Sequence, residues 1–116
     1  MNSWFEIPVT DIHRAMHFYG NLLESNIHFQ DAGDFKMAII GGQSGALIQH
    51  SAYKPSYAGT LIYLRCRLPI LQQLDLAVQL GGKIIRPAAQ ISEDFGYTAL
   101  IEDSEGNRIG LHGKNE

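Results

Sequence analysis

Apolar and polar positions fall into two kinds of rhythm along this chain. From Trp4 to Val9 the period is two: Phe5, Ile7 and Val9 point one way, while Trp4, Glu6 and Pro8 point the other, which predicts a strand. The rhythm then lengthens. Ile12, Ala15, Met16, Tyr19, Leu22 and Leu23 recur at three and four residues, the stripe of an amphipathic helix, with Thr10 and Asp11 supplying cap oxygens before it. Ser25 and Asn26 mark its exit. Three short strands are expected at about 27–30, 35–40 and 46–50, divided by Ala32-Gly33-Asp34 and by Gly41 to Gly45.

After a turn-rich connection, 51–59, the cycle repeats. A strand is expected over 60–67, where Ile62, Leu64 and Cys66 oppose Tyr63, Arg65 and Arg67. Pro69 suits a helical first turn, Ile70, Leu71, Leu74, Ala77 and Val78 make the apolar stripe, and Gly81-Gly82 stops it. Strands at about 84–87, 97–102 and 108–112 follow, with 88–94 a loop or ragged edge. Leu23 and Leu80, like Ile27 and Ile84, lie 57 residues apart; Ala38 and Ala99, like Gly45 and Gly106, lie 61 apart. An internal duplication of a strand-helix-strand-strand-strand module explains both spacings. The fold class is α+β: one domain over 1–116, with module one at about 3–50, the connection at 51–59 and module two at about 60–113.

The composition narrows the field of partners. Apolar residues are 45% and charged residues 18% of the 116, as in an ordinary globular protein. A formal charge of −3, with nine scattered Lys and Arg, offers no footprint for nucleic acid or an anionic membrane. No apolar run approaches a bilayer span and no signal-peptide pattern opens the chain, so a cytoplasmic location is expected. The single cysteine, Cys66, sits in an apolar run as a small buried hydrophobe.

Several stretches resemble the vicinal oxygen chelate superfamily, which includes glyoxalase I, bleomycin-resistance proteins and extradiol dioxygenases. Glu6-Ile7-Pro8-Val9-Thr10-Asp11 with His17-Phe18-Tyr19 is similar to its opening signature, Gly81-Gly82-Lys83-Ile84 to its second-half turn, and Asp103-Ser104-Glu105-Gly106-Asn107-Arg108-Ile109 to its last hairpin. More narrowly, Lys54-Pro55-Ser56, Gln90-Ile91-Ser92 and 106–112 resemble small bacterial glyoxalase-like proteins related to lactoylglutathione lyase. The resemblance implies two βαβββ modules in a curved eight-stranded mixed sheet, a helix per module on the outside, a small-molecule ligand in the concave face, and a homodimer. In metal-dependent relatives it also implies an ion held by His or Glu that coordinates vicinal substrate oxygens and stabilises an oxyanion.

The metal slots of that pattern fall here on Trp4, Gln49, the neighbourhood of Ile62, and Gly110. Indole, amide, alkyl and hydrogen do not make a divalent-metal shell. A shift of one residue offers Glu6, His50 and His112 instead, against the alternative that both histidines are strand-end residues bonded to solvent or backbone. Three functions are carried forward. The first is a metal-independent lyase or isomerase, with no cofactor: Glu6 as general base, Arg65 or Arg108 on the oxyanion, and His112 completing the site. Trp4, Tyr53, Tyr63, Tyr97 and His50 are its expected pocket walls, unless they serve packing or a dimer contact. The second is a ligand-sequestering dimer without turnover. The third is a metal-dependent lyase or dioxygenase using Glu6, His50 and His112.

Overall fold

A computed structural model describes residues 3–116. The chain forms two compact units, one ending at Pro55 and the other running from Ser56 to Glu116. The division falls inside the expected connection.

The first unit runs β1 (Phe5–Pro8), α1 (Ile12–Leu22), β2 (Ile27–Ala32), β3 (Phe35–Ile40) and β4 (Gly45–Gln49). Its sheet order is β1-β4-β3-β2, with β1 parallel to β4 and the other pairs antiparallel. Register fixes the two faces. Ile7, Leu47 and Ala38 share a row, and α1 packs on β3 and β4 with Ile12, Ala15, Phe18, Tyr19 and Leu22 buried. Phe18 and Tyr19 meet edge to face at 5.0 Å, so Phe18 belongs to the core and Met16 is only half-buried. Asp11 caps the helix by accepting from the Arg14 amide. The opposite face carries Glu6 beside Ala46 and Ile39, and Pro8 beside Ile48 and Met37.

The second unit repeats the plan with β5 (Tyr63–Arg65), α2 (Ile70–Gln79), β6 (Lys83–Ser92), β7 (Gly96–Glu102) and β8 (Arg108–Gly113), in the order β5-β8-β7-β6. Two βαβββ modules are therefore present, each a four-stranded mixed sheet with one helix. Leu64, Ala99, Ile101, Ile109 and Leu111 are buried on the helix-facing side.

Three local expectations change. Leu71 and Val78 are each 49% exposed, and their place in the α2 stripe is taken by Gln73, which is fully buried. Its Oε1 accepts the amides of Arg67 and Leu68, closing the turn into α2, so an amide is satisfied there without an apolar partner. The stretch 88–92 continues β6 instead of forming a loop, with register shifts after Ile84, Arg86 and Gln90 giving the ragged pairing. The strand expected over 60–67 pairs only at Tyr63–Arg65, because Arg67 and Leu68 are diverted to Gln73. Among the described residues no helix is long and apolar enough to cross a membrane.

Candidate functional site

On the face of the first sheet away from α1, β1 presents Glu6 between two aromatic donors. The Tyr53 hydroxyl donates to Oε1 at 2.8 Å and the Trp4 indole N–H to Oε2 at 3.3 Å, so both carboxylate oxygens accept. Tyr53 reaches β1 because the chain turns sharply after β4, with the Tyr53 amide donating to the His50 carbonyl at 2.9 Å. The Glu6 carboxylate and partial burial push the Tyr53 phenol above its ordinary value: the bond to Glu6 favours the protonated phenol first, then desolvation and the nearby charge add to it.

Two rings extend this cluster. Phe35 and His50 lie 5.6 Å apart, and each lies 6.1 Å from Tyr53, in tilted and edge-to-face arrangements. Next to them, His50, Tyr53 and Lys54 join Thr10, Asp34 and Pro55 around a cavity of about 310 Å³. The connection lines this cavity as far as Pro55. Glu6 and Trp4 are exposed beside it, Trp4 by 44%.

Gln49 and His50 settle the strand register. Gln49 lies on the helix side, and its Oε1 accepts the Ile12 amide at 2.8 Å at the start of α1. His50, one residue on, is the one that shares the open face with Glu6. Its Nδ1 accepts the Ala52 amide at 3.1 Å, which leaves the ring proton of the neutral form on Nε2. A metal-bound imidazole normally donates from its second nitrogen, so this tautomer does not suit ligation through Nε2.

In the second unit, register places Tyr63 beside Gly110 and Arg65 beside His112, all on the side away from α2. The Tyr63 ring occupies the space over Gly110, where a Cβ would collide with it, so an aromatic ring fills the position of the last metal slot. His112 Nε2 lies 2.5 Å from the Phe95 carbonyl, the backbone-bonded alternative raised for it above. Arg108 extends Nη2 to the Gly59 carbonyl at 3.4 Å, and its buried Nε has no hydrogen-bond partner. Tyr97 is a correction. It pairs with Gly113 on the helix side, the face opposite Thr98 and His112, and does not line a pocket with them. Burial and the Glu116 carboxylate push its phenol upward. Cys66 is half-buried, not the fully buried hydrophobe expected, and desolvation pushes its thiol up to about 11.

The closing hairpin, so prominent in the sequence, turns out to be structural. Asp103 is 2% exposed and accepts from the Glu105 and Asn107 amides and from the Asn107 side chain, while Asn107 Oδ1 accepts the Ser56 amide. Residues 56–59 are thereby pinned to this hairpin. The Tyr57 hydroxyl also donates a very short bond to Glu102, which raises the Tyr57 phenol.

As for a divalent metal, no group of three or more His, Cys, Asp or Glu able to hold one occurs among the described residues. The first unit offers Glu6, with both oxygens already accepting, and His50 in the unsuitable tautomer; the second offers His112 bonded to a carbonyl. The donors present do not fit the ion.

No family model matches the chain, and no curated protein does. Solved structures do. A glyoxalase/bleomycin resistance/dioxygenase superfamily member from Sphaerobacter thermophilus superposes with a TM-score of 0.70 at 21% identity, covering 97% of this chain and 96% of that one. TnmS3, an antibiotic binding protein from Streptomyces, gives 0.66 at 21% identity over 97% and 94%. A mutant of glyoxalase I from Zea mays gives 0.75 at 15% identity, covering 98% of this chain but only 45% of the maize one. At these identities the likeness is one of fold.

Proposed function

From a chain with the vicinal oxygen chelate fold, we propose a small-molecule-binding protein whose ligand docks on the face of Trp4, Glu6, His50 and Tyr53. The observation that carries this is the doubly bonded, solvent-facing Glu6 carboxylate set among aromatic rings. Such a platform offers a fixed acceptor for a ligand N–H or O–H, π faces for a planar group, and the Nε2–H of His50 as a donor. The antibiotic-binding character of TnmS3 supports the same class. Its pre-formed hydrogen bonds lower the ordering cost of binding.

A second reading, lyase- or isomerase-type proton transfer without a metal, is favoured by the exposure of Glu6 to a docked substrate. There Glu6 takes the proton, and the His50 Nε2–H, in the same unit, steadies a developing oxyanion. One experiment decides between the two. Thermal-shift screening of aromatic acids, aromatic amines and α-ketoaldehydes should yield a ligand whose stabilisation falls about tenfold in apparent affinity in Glu6→Gln. Recovery of that ligand unchanged after incubation supports binding alone, and its conversion, lost in Glu6→Gln, supports the lyase. A ligand shift indifferent to Glu6→Gln and Tyr53→Phe sinks both.

We also infer a homodimer. β6 is the edge of its sheet, and Ile84, Ile85 and Ile91 on it, with Phe95 beyond it, are exposed by 44%, 37%, 56% and 66%. Long apolar edge strands invite pairing with a second chain.

A further inference from the structure

The second unit holds a cavity of about 430 Å³ at the C-terminal ends of β5 and β8, within the roughly 300–1,000 Å³ typical of small-molecule sites. Arg65, Arg67, His112 and Lys114 line it together with Cys66 and Pro69, and none of its lining residues is acidic. In a chain of net charge −3 with nine Lys and Arg, three of the cations converge on one hollow. Like charges gathered this way repel one another and focus a positive potential that an anion relieves.

Backbone donors contribute little to that attraction. The first amides of α2, Ile70 and Leu71, donate to the carbonyls of Asn115 and Glu116, and the Arg67 and Leu68 amides donate to Gln73. The grip must come from side chains. Arg65 stands beside His112 in the β5–β8 register, and His112 Nε2–H donates to the Phe95 carbonyl, which fixes the imidazole as a wall of the cavity. A guanidinium and an ammonium at one cavity suit the planar fork of a carboxylate or the oxygens of a phosphate.

We propose that this cavity binds the anionic end of a small molecule, a carboxylate or phosphate group, held by Arg65 and Lys114 with Arg67 beside them. The proposal does not depend on Glu6. Calorimetric titration of the full chain with inorganic phosphate and with citrate, at ionic strength fixed by sodium chloride, tests it. At least one anion should bind saturably, about tenfold or more weaker in Arg65→Glu and in Lys114→Glu, and unchanged in Lys36→Glu, a cation of the other unit paired with Asp31. Tighter phosphate points to a phosphorylated ligand, and tighter citrate to a carboxylate. Circular dichroism checks folding, and Arg65→Gln and Lys114→Gln replace any reversal that fails to fold. Absence of saturable binding by both anions, affinity unmoved in the Arg65 and Lys114 variants, or an equal loss in Lys36→Glu overturns the proposal. The Glu6→Gln ligand screen reads the other unit, so the two proposals fail separately.

Discussion

Asp103 shows how a short polar side chain can fix a turn that looks, in the sequence, like surface. Only 2% exposed and accepting three hydrogen bonds from Glu105 and Asn107, it satisfies donors of the closing hairpin. Asp103→Ala removes those three bonds and should cost about 2–4 kcal/mol in chemical denaturation. Tyr53 gives a spectroscopic handle on the candidate site. Its phenol is raised because Glu6 accepts its proton, so the folded state favours the neutral form. That contribution is complete below the ordinary tyrosine range near 10 and is lost as pH rises through the higher folded value. Ultraviolet titration should show Tyr53 ionising late, and Glu6→Gln should bring it back toward 10, with no movement if the pair is absent in solution.

Helix ends carry the next level. Both helices stop at a leucine C-cap, Leu23 and Leu80, followed by a residue in the left-handed region: Glu24 at φ 49° and Gly81 at φ 102°. The backbone closes the same way in each, Ser25 N–H to the Gly20 carbonyl and Gly82 N–H to the Ala77 carbonyl. Only one of the two residues adopts that conformation freely. Glu24→Gly should therefore raise the unfolding free energy by up to about 1 kcal/mol, less whatever Glu24's own interactions supply, whereas Gly81→Ala should lower it by about 1 kcal/mol; equal effects in thermal melts would contradict the cap assignment. Polar side chains at the other ends act over longer sequence distance. Gln49 serves α1 from β4, and Gln73 serves the turn before its own helix. An isolated helix pattern does not reveal either role.

At the scale of the whole chain, the repeat is real but unequal. Leu23 and Leu80 occupy equivalent caps and Ala38 and Ala99 equivalent rows, yet Leu47 and Leu111, which pair with those alanines, differ by more than the offset drawn through Gly45 and Gly106. Four extra residues between Leu80 and Ala99, where β6 carries its bulges, and three between Ala99 and Leu111, across the β7–β8 hairpin, absorb the difference. The same long edge strand motivates the dimer. Light scattering after size exclusion should give twice the mass of 12.9 kDa, and Ile91→Lys with Phe95→Glu should shift it toward the single-chain value. A monomer in the parent protein would remove the dimer from the functional scheme.

Alternation and three-four spacing were enough to place both helices, the order of elements and the duplication, because burial of one face imposes those periods on the sequence itself. They were also enough to place Glu6 and Trp4 on one face and Arg65 and His112 on one face, since parity along a strand is local. They did not reveal that Tyr53 closes on Glu6, that Tyr63 fills the space over Gly110, that Tyr97 turns toward the helix, or that Gln49 and Gln73 are structural. Each of those depends on which residue a neighbouring strand or turn brings alongside, a property of register and long-range pairing that no single stretch encodes.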